Sequence, residues 1–143
     1  MVTISKLTAI TDASVRELNE LMRQLREGST AAASKEDMQE LLNDENIVVI
    51  VAKDDERIVG VATLYVMPKI GKRIGYVEDV VVGEEYRGQG IGEKIMHELI
   101  NIAMGRNIRT LSLTSRPERI AGNKLYQKLG FERKETNSYR LKL

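Results

Sequence analysis

Apolar positions recur along the 143-residue chain with two periods, one helical and one of alternating residues. Val2 to Leu7 alternates weakly and predicts a first strand. Val15, Leu18, Leu21, Met22 and Leu25 return at three- and four-residue steps, which predicts an amphipathic helix ending near Gly28. After a loop at Thr30 to Ala33, Ser34 and Asp37 resemble a capping box and open a second helix through Met38, Leu41 and Leu42. Both helices are expected to pack on a sheet. Ile47 to Ala52 and Ile58 to Met67 flank the turn residues Asp54 and Asp55 and read as a hairpin, with Gly60 marking a bulge. Pro68 to Arg73 reads as a basic loop and Ile74 to Val82 as another strand. Beyond a polar, glycine-containing loop, Ile91, Ile95, Leu99 and Ile102 make the apolar stripe of a helix ending near Gly105, followed by a strand from Ile108 to Leu113. A strand, helix, strand unit requires its two strands to be parallel neighbours. A last helix, Glu118 to Leu129, precedes a hairpin of Phe131 to Glu135 and Ser138 to Leu143. There is no repeat, linker or low-complexity segment.

The length fits one domain, and 42% hydrophobic with 30% charged residues is the composition of a soluble globular protein. The net charge of +1 argues against a nucleic-acid or membrane-surface binder, although its distribution is uneven: Met1 to Gly105 carries −6 and Arg106 to Leu143 carries +7. Six aromatic residues spread over the chain and the lack of a recognition motif weaken a nucleic-acid reading further. Without Cys there is no disulfide, thiolate metal site or cysteine nucleophile, and one His excludes a His cluster; no metal is expected. No signal-peptide pattern opens the chain, and no apolar run approaches the ~18 residues needed to span a bilayer. A cytoplasmic location is expected, with no membrane partner.

The most informative segment is Arg87-Gly88-Gln89-Gly90-Ile91-Gly92, set between a strand and a helix. Glycines there let backbone N–H groups turn toward a ligand, and the N-terminus of the following helix favours phosphate, so the loop suggests pyrophosphate binding. A tight strand-to-helix turn would explain the same glycines. The dinucleotide fingerprint does not fit, because Glu93 stands where its third glycine belongs, and no G-K-[ST] follows for a P-loop.

The stretch V-E-D-V-V-V-G-E-E-Y-R-G-Q-G-I-G, Val77 to Gly92, resembles the acetyl-CoA motif of the GCN5-related N-acetyltransferases, with Arg87, Gly90 and Gly92 as its core. Asn123, Leu125, Tyr126, Lys128, Gly130 and Phe131 match a second motif of that family. Gly83 departs from the pattern, since many members have proline near there. The resemblance implies one α/β domain over residues 1–143: a mixed, mostly antiparallel central sheet, splayed at one parallel pair and flanked by about four helices. It implies acetyl-CoA as co-substrate. Pantetheine would lie along Val80, Val81 and Val82, bonded by backbone groups of Val80 and Val82, and the N–H groups of Arg87, Gly88, Gln89, Gly90, Ile91 and Gly92 would hold the pyrophosphate.

Acetyl transfer from a thioester to an amine needs a base, an oxyanion donor and an acid. The resemblance gives Tyr126 the role of protonating the departing thiolate, where an ordinary aromatic core contact is the alternative. Asn123 lies one turn earlier and is expected near the pantetheine or phosphate arm; a solvated helix residue is the alternative. Glu78 is the first candidate base and Asp79 the second, unless both are solvated partners of nearby cations. In a regular strand Glu78 shares a face with Val80 and Val82, while Asp79 and Val81 take the other, so one carboxylate alone should face the site. Glu93, one turn before His97, explains that histidine as an exposed ion pair rather than a catalyst. Arg116, Arg119, Lys124 and Lys128 would attract the 3′-phosphate of the cofactor, or form a solvated face.

The expectation is therefore an N-acetyltransferase acting on a primary amine of a small molecule, an amino sugar by resemblance, through direct attack. The alternatives are a protein or peptide amine acetyltransferase and a non-catalytic acyl-CoA-binding module. A homodimer is expected from Ser138 to Leu143 as an edge strand in need of cover.

Overall fold

The computed structural model describes residues 1–143, which divide into two compact units, Met1–Leu113 and Thr114–Leu143. In the first, β1 (Val2–Lys6), α1 (Asp12–Leu25), α2 (Lys35–Asn43), β2 (Ile47–Asp54), β3 (Arg57–Lys69), β4 (Lys72–Val82), α3 (Ile91–Gly105) and β5 (Leu111–Ser112) follow in order. A short 3₁₀ turn, Glu84–Tyr86, connects β4 to the loop before α3. The strands form one sheet in the order β1-β2-β3-β4-β5, antiparallel except for the parallel pair β4–β5. This is the mixed α/β architecture expected from the sequence.

Local chemistry starts the helices where the pattern places them. The Ser34 hydroxyl accepts the Asp37 N–H while the Asp37 carboxylate accepts the Ser34 N–H, so the capping box forms with Asp in the third position. Thr11 and Ser14 do the same for α1, with a hydroxyl in place of the carboxylate. Strand alternation then splits the core into two layers. Leu18 and Leu21 of α1 and Met38 of α2 pack with Val49, Val51, Val61 and Val81. Ile95, Met96 and Leu99 of α3 are fully buried, and Ile95 reaches Gly60 from the opposite face. The expected bulge lies beside that glycine: Ala52 faces Gly60 and Lys53 faces Ile58, which leaves Val59 as the extra residue.

Three expectations are corrected. Pro68 to Arg73 is no loop: β3 and β4 stay paired out to Lys69 opposite Lys72, and Ile70-Gly71 alone makes the turn. β2 begins only at Ile47, opposite Tyr65, so past that point β3 and β4 run on as a two-stranded ribbon whose free edges tolerate Pro68. The strand from Ile108 to Leu113 shortens to Leu111–Ser112. In the second unit α4 spans Ile120–Lys128, but residues 131–143 form no strand. Tyr139, Leu141 and Leu143 are exposed there, and the edge-strand argument for a dimer loses its footing.

Candidate active site

Strand β4 organises the chemistry of the first unit. Its parallel pairing with β5 is confined to Gly75 opposite Leu111 and Tyr76 opposite Ser112, so from Val77 onward β4 has a strand partner on one side only. Gly75 makes the close approach possible, since a Cβ there would meet Leu111 at 2.6 Å, Leu64 at 3.1 Å and Ile108 at 3.2 Å. Past the split, backbone groups of β4 can take up a ligand's amides.

A bulge sits within that unpaired stretch. Thr63 faces Glu78 and Val61 faces Val81, so Asp79 and Val80 together oppose Ala62. Asp79 adopts a left-handed φ of 56°, a strained conformation that Asp tolerates better than most residues. The bulge overturns the expected facing. It shifts the alternation by one, so that Val81 joins the core under α1 and α2, and it turns Asp79 toward Arg26 at the end of α1. The Arg26 guanidinium lies 2.6 Å from an oxygen of Asp79. Both carboxylates bear on this side: burial, then the charges of Asp79 and Glu78, push the Tyr65 phenol up. Burial and the Asp79 charge likewise raise Glu78 above the usual glutamate range, against opposing effects of Arg26 and the Asp79 backbone N–H. Glu78 lines a cavity of about 420 Å³ with Tyr65, Tyr76, Met67, Asn46 and Asp44.

Beyond β4, the Gly83 N–H donates to Val59 O at 2.8 Å, a bond that proline could not make, which accounts for the absence of proline at this departure from the family pattern. The 3₁₀ turn is tied to the end of β2 by the Tyr86 hydroxyl, which donates to Asp54 at 2.7 Å. Arg87 Nε donates to Val82 O at 2.9 Å, so the carbonyl expected to meet pantetheine already carries one bond. Gly88 and Gly90 take φ of 78° and 76°, and a Cβ on either would meet no protein atom within 4 Å. Gly90 is the N-cap of α3 and brings no side chain to it. The first N–H groups of α3 therefore lack an intrahelical acceptor and look out beside open space, which is a cradle for a phosphate group. Val80, Val82 and the loop from Arg87 to Gly92 thus fit the chemistry of an acyl-CoA: ladder groups for amides and N–H donors for phosphates.

The second unit holds the remaining candidates. Tyr126 packs edge-on against Phe131 with ring centroids 5.9 Å apart, and burial raises its phenol, only partly offset by Arg119. The Asn123 amide donates to the carbonyls of Arg116 at 2.9 Å and Arg119 at 2.8 Å, so it fastens the start of α4 instead of projecting as a donor to ligand. His97 pairs with Glu93 at 3.6 Å and is exposed, as expected. Sequence reasoning missed Arg26, Tyr65, Tyr76 and Asp44. The two tyrosines could have been found only by knowing that Tyr65 and Tyr76 pair across β3 and β4.

Comparison with known proteins gives this geometry a context. The family model described as Acetyltransferase (GNAT) matches residues 15–131. A glucosamine 6-phosphate N-acetyltransferase of Trypanosoma brucei brucei is 37% identical over 82 residues, 55% of this chain and 54% of that protein. An L-2,4-diaminobutyric acid acetyltransferase of Halalkalibacterium halodurans is 32% identical over 83 residues, 58% of this chain and 43% of that one. The chain thus spans about half the length of the curated relatives it matches. The crystal structure of a Trypanosoma brucei acetyltransferase superposes with a TM-score of 0.79 at 28% identity, covering 100% of both chains.

Proposed function

Because this chain belongs to the acetyltransferase (GNAT) family, we propose that it acts as a single domain that transfers the acetyl group of acetyl-CoA to a primary amine of a small molecule. The observation that carries this reading is the continuity of β4: one strand presents unpaired backbone, bears Glu78 on a cavity wall, and leads into the glycine loop at the N-terminus of α3. Relatives named for small amines, glucosamine 6-phosphate and diaminobutyric acid, support an acceptor of that size.

Bound acetyl-CoA would supply the activated carbonyl. Backbone groups of Val80 and Val82 hold the pantetheine arm, and N–H groups of the loop from Arg87 to Gly92 hold the pyrophosphate. Glu78 accepts the proton of an ammonium acceptor, and its raised affinity for protons suits it to that work. Arg26 engages Asp79, which leaves Glu78 as the base and Asp79 as the residue that shapes the bulge. Tyr126 stays protonated because burial raises its phenol, and it keeps a proton at the phenolic oxygen for the departing thiolate. With no Cys in the chain, direct attack by the amine accounts for the chemistry without a thiol nucleophile.

Calorimetry with acetyl-CoA and thiol release with primary amines test the reading. Gly90→Asp sets a carboxylate against the pyrophosphate and a side chain at a left-handed position, so affinity should fall about tenfold or more. Unchanged affinity in a folded variant overturns the loop assignment. Binding without thiol release on any amine leaves an acyl-CoA-binding module, and turnover confined to peptides makes the acceptor a protein amine.

A further inference from the structure

The cavity beside β4 has a distinctive wall. Its charged members are Asp44 and Glu78, with no Lys, Arg or His among the residues that line it. Arg26, the cation next to Glu78, is engaged by Asp79 at 2.6 Å. Lys69 and Lys72 share this face by strand alternation, but Lys72, with Lys69 opposite it, stands six residues from Glu78, about 20 Å along the strand. That is further than a hexosamine phosphate reaches from its amine. A phosphate group in this cavity would meet two carboxylates and no compensating cation, whereas ammonium groups would meet complementary charge.

The two carboxylates also have a separation. Ile47, Tyr65 and Tyr76 form one row across β2, β3 and β4, and β2 and β4 run the same way, so Asp44, before Ile47, and Glu78, two residues past Tyr76, stand about 10 Å apart across the sheet and at least about 7 Å apart along it. Asp44 lies just before β2 and Glu78 on β4. One Asp44 oxygen accepts the Asn46 N–H at 2.8 Å, which orients the carboxylate, and a carboxylate keeps further acceptor positions for an ammonium. Between them, the rings of Tyr65 and Tyr76 and the Met67 side chain offer apolar and π surface suited to an alkyl chain that carries positive charge.

We propose that this cavity selects an extended di- or polyamine, held by one ammonium at Asp44 while another amine reacts beside Glu78, and that it disfavours phosphorylated amino sugars. The proposal rests on the acetyl-transfer reading above and names its acceptor class. Thiol release by the full chain is to be measured with spermidine, butylamine, glucosamine and glucosamine 6-phosphate, alongside calorimetry of acetyl-CoA binding. Spermidine should exceed butylamine in kcat/KM by about two- to fivefold, as an ion pair between a second ammonium and an exposed carboxylate provides, and glucosamine 6-phosphate should be the poorest acceptor. Asp44 is exposed, so Asp44→Asn spares the core; it should raise the KM for spermidine and erase most of the preference over butylamine, with circular dichroism checking the fold. Equal use of spermidine and butylamine, preference for glucosamine 6-phosphate over glucosamine, or a spermidine preference that survives Asp44→Asn overturns the acceptor class and leaves acetyl transfer standing. Binding with no turnover of any of the four amines likewise overturns the acceptor class, and failure to bind acetyl-CoA overturns the acetyl-transfer reading and this one with it.

Discussion

Two adjacent carboxylates on β4 have different surroundings, and the difference gives them separate tasks. Glu78 is raised first by burial and next by the charge of Asp79, while Arg26 lowers it. If Glu78 is the base, kcat/KM should climb with pH as it loses its proton, with an acid limb above the ordinary glutamate range. Arg26→Met removes a lowering charge and should move that limb upward; Asp79→Asn removes a raising charge and should move it down. Glu78→Gln should abolish the limb, and pH profiles corrected for the free-amine fraction of the acceptor check all three. The stability effect has the matching sign. A raised carboxyl favours the folded state below its unfolded pKa, and that contribution disappears as pH rises through the folded value, so Glu78→Gln should flatten this part of the stability profile. Both acids were legible in the sequence, but their orientation was not. Strict alternation separates Glu78 from Asp79, and only the bulge, with Asp79 at positive φ, brings both to the Arg26 side. Arg26 itself was hidden, because 53 positions separate it from Asp79 and nothing local marks the pair.

At the scale of elements, the parallel pair β4–β5 depends on a residue without a side chain. A Cβ at position 75 would press on Leu111, Leu64 and Ile108 together, and the closest of these belongs to β5. Gly75→Ala should therefore destabilise the fold by about 1–3 kcal/mol through overpacking. Thermal denaturation is the check, and an unchanged Tm would mean that Leu111 yields freely. Helices and central strands were readable in advance because periodicity and caps are local: the apolar steps of α1 and the Ser34–Asp37 box specify their own outcome. Pairing is not local. Pro68 and its basic neighbours look like a loop, yet β3 and β4 hold register through them because each supplies the other's ladder. Tyr139, Leu141 and Leu143 alternate as a strand should, yet the segment is unpaired and these residues stay exposed. Alternation states which face a strand would bury, and says nothing of whether a neighbour is there.

For the molecule as a whole, the uneven charge noted in the sequence follows the two units, since the acidic excess lies within Met1–Leu113 and the basic excess within Thr114–Leu143. The −6 and +7 segments, by contrast, divide at Gly105, and Arg106 and Arg109 belong to the first unit. Distant segments of that unit are joined by single side chains as well as by the sheet: Tyr86 fastens the turn before the glycine loop to Asp54, and Arg106 donates to Glu45 O at 2.6 Å, linking the end of α3 to the start of β2. The β3–β4 ribbon has no such tie at its tip, where Ile70 is fully exposed between Lys69 and Lys72. Loop tips of this kind are where proteases gain access. Within the first unit, limited trypsin treatment should cleave earliest after Lys69, Lys72 or Arg73, as mass spectrometry of the fragments would reveal, and initial cleavage at Lys53 or Lys94 would be the contrary result. Because the ribbon projects past the ends of β2 and β5, the cut severs a turn and leaves the remaining strand pairs and both core layers intact, so the two pieces should co-elute as one folded particle on gel filtration.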